Sequence, residues 1–329
     1  MSTQISYAQG ILNGFRYLLS NHKDVFAIGQ GLWSPWYVGE SMKDLDKDFG
    51  KARVIDTPVS ELATTGVAIG ASLNGYRPIV IHPRMDFMIL AADQIVNQAA
   101  KWRHMLGGKS PSVVIRAIVN RGGEQGAQHS QALHSWYAHI PGLRVVMPAT
   151  AGDARDLLIA ATLCDDPVLY IDDRWCYEQT EEVAPAGFVD MAKQGPKVLR
   201  EGSDITLVSA SYSTVLAREA AELLAKKGIS AEVVDLRVLN PLDHSVAAAS
   251  VKKTGRLLAV DGGWATCGLA GEVIAGVAET LPPTAFRTRP RRITLPDAPA
   301  PTSKVLEKIY YPTAQQVADV AETMVKDMA

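Results

Sequence analysis

The chain has 329 residues, 47% of them hydrophobic, which is enough for two domains each with a sizeable core. Its formal net charge of −2 carries no basic run or acidic tail, arguing against nucleic acid or another polyanion as main partner and for a small-molecule site. Cys164, Cys176 and Cys267 are widely spaced and suggest neither a disulfide framework nor a zinc site, and no apolar stretch reaches the roughly 18 residues of a membrane span, so the sequence reads as a cytoplasmic protein.

Tyr7 to Ser20 has helical spacing through Ile11, Phe15, Leu18 and Leu19, and Val25–Gly29 is a short apolar strand ending in glycine. A loop rich in Gly, Trp and Pro follows. Val54 and Ile55 end a second strand. Thr57 reads as the N-cap and Pro58 as the first residue of the next helix, which places Glu61 in its first turn. The run after Glu61, Leu62-Ala-Thr-Thr-Gly66-Val-Ala-Ile-Gly70, is uncharged and rich in small residues, as in a helix packed closely against another helix, and a glutamate entering it is expected to be desolvated. A glutamate at a helix start also simply complements the helix dipole, so the position alone leaves both readings open.

Further strands are expected at Pro78–Ile81, Ser112–Ile118, Leu143–Met147 and Val168–Ile171, with helices between them. Strands alternating with helices mean a parallel sheet. Between Thr180 and Gly202 the pattern dissolves into Pro, Gly and charge, the composition of a linker, and a second alternating series runs from Ile205 to Thr294. The expectation is an α/β protein with a parallel-sheet domain over residues 1–190 and a smaller α/β domain over 191–329.

Ligands of open parallel sheets bind beyond the carboxyl ends of the strands. Reading the first domain that way collects Gln30, Glu61, His82, Arg84, Phe87 and the loop Arg121–His129. Taken singly, a histidine after a glycine-rich loop is a surface or core residue more often than a catalyst, and Phe87 reads as core. The phosphate-cradling G-x-x-x-x-G-K-[ST] and G-x-G-x-x-G patterns are absent, as are G-x-S-x-G and H-E-x-x-H.

The runs Ile55-Asp-Thr-Pro-Val-Ser-Glu61, Asp86-Phe87, Asp93-Gln-Ile-Val-Asn97 and Ala127-Gln-His-Ser-Gln131, with Val234-Asp-Leu-Arg237, Asn240-Pro-Leu-Asp243, Asp261-Gly-Gly-Trp264 and Asp297-Ala-Pro-Ala-Pro301, span nearly the whole chain. Together they closely resemble the β subunit of the decarboxylating component of 2-oxo acid dehydrogenases, of the pyruvate and branched-chain type. The resemblance implies a transketolase-like pyrimidine-binding domain, a transketolase-type C-terminal domain, and a heterotetramer of two α and two β chains. It implies thiamine diphosphate bound between chains, with magnesium and diphosphate held by α, and a lipoyl acyltransferase as acceptor. By position, Glu61 would bond the aminopyrimidine N1′, Phe87 would lie against that ring, Gln30 would line the cofactor site, and His129 would serve the substrate or acyl acceptor.

A potassium ion is implied near Ala161, Cys164 and Asp166, although Cys164 stands where the family is commonly acidic. Gln30-Gly31 replaces a usual acidic pair and Ile81-His82 a usual glutamate, so His82 and Arg84 are expected to make the pocket more positive and to select a substrate with an extra anionic group. A split transketolase that transfers a ketol unit, and a non-catalytic assembly or regulatory module, are the alternative functions.

Overall fold

In the computed structural model, which describes residues 2–327, the chain divides into two compact units. The first runs up to Arg121 and resumes over Trp136–Gln194; the second takes the intervening Gly122–Ser135 together with the chain from Gly195 onward. The histidine-bearing loop is thus grouped with the second unit, where a simple division at residue 190 would have left it in the first.

Eight strands belong to the first unit: β1 (Thr3–Ser6), β2 (Val25–Gly29), β3 (Val54–Asp56), β4 (Arg77–His82), β5 (Val114–Val119), β6 (Arg144–Val146), β7 (Val168–Asp173) and β8 (Thr180–Val183). Six of them form a parallel sheet in the order β6-β7-β5-β4-β2-β3. β5 and β7 are buried at every position, which is why they read as continuous apolar runs rather than alternating ones. The helix Tyr7–Asn21 starts with a Ser6/Gln9 capping box and packs on the helix Ala151–Leu163, where Gly10 brings its backbone against Ala151 and Gly14 against Arg155.

The expected linker contains two strands. β8 pairs antiparallel with β1, and β9 (Lys197–Arg200) pairs antiparallel with β11 (Ala231–Asp235) in the second unit. Both are short, polar edge strands, so their sequences lack the apolar signature of the buried ones. The second unit also holds β10 (Ile205–Ser209), β12 (Val238–Asn240), β13 (Leu257–Trp264) and β14 (Arg291–Leu295). Its sheet runs β14-β13-β10-β11-β9, and one core joins Leu207, Val233 and Leu258 to Ala217 and Leu224 of one helix and Val317 and Ala321 of the last.

Buried charge in the first sheet is handled by pairing. Arg116 of β5 is fully buried; its Nε and Nη2 donate to Asp172 at 2.9 and 2.8 Å, and Nη2 also donates to Tyr177 Oη and Ser41 Oγ. Burial alone would weaken the guanidinium's hold on its proton, but the Asp172 carboxylate reverses this and raises its pKa. This arginine is structural, and nothing in its local sequence announced it.

Candidate functional site

Strand register brings the site together. Gly29 of β2 stands opposite Asp56 of β3 on one side and Ile81 of β4 on the other, so the residues leaving these three strands emerge side by side. Asp56 Oδ1 accepts from the Gly31 amide at 2.6 Å, pinning the turn after Gln30. The Thr57 amide donates to the Gly29 carbonyl at 2.9 Å, so the chain is still extended there and Thr57 is not the helix cap. The helix begins instead at Glu61, with Ser60 as its N-cap and the Ser60 carbonyl accepting from the Thr64 amide. Pro58 lies before the helix rather than in its first turn.

Glu61 is 8% exposed, yet its side chain makes no hydrogen bond or ion pair among the described residues. It lines a small, open cleft of about 10 Å³ with Gln30, Thr57, Thr64, Ile81 and His82. Thr57 Oγ1 is also buried without a hydrogen-bond partner among the described residues. A buried hydroxyl left without a partner is costly until a ligand takes up its hydrogen bond, and the Glu61 carboxylate opens onto the same cleft.

His82 does not supply the positive charge expected of it. It is 3% exposed, its Nε2 lies 3.2 Å from Thr65 Oγ1, and burial pushes its pKa down to about 4, so near neutral pH it is an uncharged wall of the pocket. Arg84 and Phe87 follow on the loop and short helix after β4, half-buried and outside that lining. Arg84 Nη1 is buried with no hydrogen-bond partner among the described residues. Burial first, and the nearby Arg174 second, lower its hold on the proton, opposed by Asp86 and Tyr37.

His129 lies in Gly122–Ser135, a loop anchored at several points within the second unit. The Glu124 amide donates to Glu307 at 2.8 Å, the Leu269 amide donates to Ser135 Oγ at 3.0 Å, and His134 Nε2 lies 2.9 Å from Asp261 Oδ1. Burial alone would raise the Asp261 carboxyl, but His134 and the amides of Gly263 and Ala270 hold it below the usual range. The sequence reading passed over His134, whose partner lies 127 positions away in Asp-Gly-Gly-Trp.

Ala161, Cys164 and Asp166 do come together, but their oxygens are already engaged. The Cys164 thiol, kept protonated by burial, points at the carbonyls of Ala161 and Asp166, 3.3 and 3.6 Å away. Arg77 Nη1 donates to the carbonyls of Thr162 and Cys164 at 3.1 and 2.8 Å, and its Nη2 to Asp165 at 2.9 Å. A guanidinium and a thiol proton stand where a monovalent cation would need free carbonyl oxygens, so this donor set does not fit potassium.

Residues 3–176 match the transketolase pyrimidine-binding domain and residues 196–317 the transketolase C-terminal domain. A split-gene transketolase, described as an inactive β4 tetramer, shares the fold over 99% of each chain, with a TM-score of 0.79 at 23% identity. The β subunit of acetoin:2,6-dichlorophenolindophenol oxidoreductase from Cupriavidus necator is 42% identical over 275 residues, covering 83% of this chain and 81% of that one. The mitochondrial pyruvate dehydrogenase E1 β subunits of Saccharomyces cerevisiae and Homo sapiens are 38% and 34% identical, covering 89% and 96% of this chain and 81% and 89% of their own. Domains of the transketolase family imply thiamine diphosphate as cofactor generally. The chain belongs to the E1 β subunits of the 2-oxo acid dehydrogenases, built from a transketolase pyrimidine-binding domain and a transketolase C-terminal domain.

Proposed function

We infer that this chain is the β subunit of a thiamine-diphosphate-dependent enzyme that decarboxylates a 2-oxo acid and passes the acyl or aldehyde unit to an acceptor. The observation that carries this reading is Glu61, a buried carboxylate without a protein partner at a pocket on the carboxyl edge of a parallel sheet. The cofactor, when bound, supplies the electron sink that cleavage beside a carbonyl requires. Glu61 holds a proton against the aminopyrimidine N1′, and its place at the head of a helix fixes that carboxylate. Gln30 and the Thr57 hydroxyl offer further polar contacts at the same pocket, and Phe87, on the short helix after β4 and outside that lining, would lie against the pyrimidine face when the cofactor is bound. His129 serves the substrate or the acyl acceptor, on a loop held by the Glu307 and His134–Asp261 contacts.

Magnesium and the diphosphate are held by an α subunit, in a heterotetramer of two α and two β chains. Support comes from the helix Glu61–Leu73, whose Leu62 and Val67 are 54% and 61% exposed and whose Gly70 has nothing near the place of a Cβ, leaving a smooth apolar face for a partner helix. A lipoyl acyltransferase is the proposed acceptor. Potassium has no part in the proposal, because Arg77 and Cys164 occupy its oxygens. The proposed compartment is the cytoplasm, in keeping with three free cysteines; no helix among the described residues is long and apolar enough to cross a membrane.

The test is co-purification with the candidate α chain, followed by a screen of 2-oxo acids and ketose phosphates for thiamine-dependent turnover. Release of CO2 from a 2-oxo acid supports the reading. Ketol transfer without CO2 release replaces it with a transketolase, and no turnover by a cofactor-loaded assembly replaces it with a non-catalytic module.

A further inference from the structure

The loop that carries His129 belongs to the second unit and is built from two turns. The Gly122 carbonyl accepts from the Gln125 amide and the Gly126 carbonyl from the His129 amide, each at 3.4 Å, so His129 closes the second turn. Gly122, Gly123 and Glu124 are all left-handed, with φ of 63°, 63° and 61°. Glycine takes that conformation freely, whereas a residue with a Cβ takes it at a cost, and a turn with both central residues left-handed favours Gly, Asn or Asp. Glu124 is therefore the strained member of the first turn, in the same short loop as His129.

Glu124 is exposed, but its amide donates at 2.8 Å to the carboxylate of Glu307, which is buried. A backbone N–H on a carboxylate makes a charge-assisted hydrogen bond, stronger than one between neutral groups. The Gly122 amide donates to Tyr311 Oη at 3.4 Å, and left-handed Gly126 sits so close to the Thr302 side chain that a Cβ there would overlap it. All three contacts come from residues 302–311, whose helix Lys304–Tyr310 is tied to the sheet through Ala298: that carbonyl accepts from Tyr310 Oη at 2.7 Å and from Nε1 of Trp264, the last residue of β13, at 3.1 Å. On the other side of His129 the His134–Asp261 and Ser135–Leu269 contacts pin the loop. His129 thus lies on a segment held at both ends, and Glu307 is the charged anchor at the strained end.

We propose that Glu307 is a positioning residue: by holding the Glu124 amide it keeps the first turn in its left-handed form and so sets where His129 is presented. His129 is the residue assigned above to the substrate or acyl acceptor, and this consequence rests on the function proposed there; the clamp on the loop does not. Glu61 is set by a helix start in the first unit, so loss of the clamp slows the step that uses His129 and leaves the proton transfer at Glu61 as it was.

The clamp is tested first on the full chain, by hydrogen exchange of the Glu124 amide read by NMR. E307A speeds that exchange at least about tenfold while the amides of β10 stay protected, and E307Q, which keeps an acceptor oxygen without its charge, speeds it less. Turnover is read second, on the cofactor-loaded assembly with its α chain. E307A lowers it by about 10–100-fold, the size of loss a misplaced group causes, with exchange of the thiazolium C2 proton at the wild-type rate. E124G built into E307A restores most of the turnover, because glycine holds the left-handed turn without the anchor. Unchanged exchange at Glu124 in E307A overturns the clamp. Equal losses of turnover and of C2-proton exchange, or no rescue by E124G, overturn the positioning role and make Glu307 a residue of the fold. Should E307A fail to fold, E307Q alone and with E124G decides in the same way. A wild-type assembly without thiamine-dependent turnover overturns the function, while faster exchange at Glu124 in E307A still upholds the clamp.

Discussion

Glu61→Gln separates the chemistry of the carboxylate from its bulk. Glutamine has the same shape and keeps the helix start at position 61, but it cannot share a proton with a ring nitrogen. Losing a negative charge in the first turn costs roughly 0.3–1 kcal/mol of dipole interaction, and removing a buried, unpartnered charge offsets some of that, so stability should change by less than about 1 kcal/mol. Catalytically the loss is that of a positioned acid–base group, typically 10²–10⁴-fold, or about 3–5.5 kcal/mol of barrier. The assay is exchange of the thiazolium C2 proton for deuterium in the assembled enzyme, quenched in acid and read by NMR, beside thermal melting and gel filtration. Exchange at the wild-type rate refutes the role given to Glu61. A variant that no longer folds or assembles refutes the view that the residue is structurally dispensable.

The isolated chain should bind thiamine diphosphate poorly and gain affinity with its α subunit; calorimetry showing micromolar binding by the pure chain contradicts a site shared between chains. His82 is neutral when folded and titrates near its ordinary value when unfolded, so the unfolded chain binds the extra proton between about pH 6.5 and 4 and stability should fall as pH falls through that window, by on the order of 2–3 kcal/mol. His82→Gln should flatten this part of a Tm-against-pH curve, and an unchanged curve would show that other groups dominate it. Replacing sodium by potassium at fixed ionic strength should leave Tm unchanged, whereas Arg77→Gln, which strips donors from the Thr162 and Cys164 carbonyls, should cost about 1–3 kcal/mol in urea unfolding; a clear rise of wild-type Tm in potassium would restore the ion.

What was legible in the sequence was whatever depends on neighbouring residues. The apolar runs of β2, β4, β5 and β7 announce buried parallel strands because both faces of such a sheet are covered, and Glu61 stands out because it interrupts a strand-to-helix junction that is otherwise apolar and small. β8 and β9 were hidden because an edge strand carries the same charged residues as a linker. The helix start was misplaced because Thr57 and Pro58 have the chemistry of a cap, while the hydrogen bond that keeps Thr57 extended is donated to the carbonyl of Gly29, which is distant in sequence. His134–Asp261 and Arg77 with the Cys164 loop were missed for the same reason: each joins segments that no local pattern connects.

Charge at the site shows most clearly where sequence and structure part. A histidine in the sequence suggests a cation, but whether it carries charge depends on burial, and His82 is sealed against a threonine hydroxyl. Gln30 is neutral by composition, and Glu61 is the one acidic side chain among the residues that line its pocket. No second carboxylate and no lysine or arginine lines that pocket. A nitrogen base placed in the pocket therefore meets a single proton-sharing partner. Arg84 stands outside that lining, so no arginine neutralises the glutamate there.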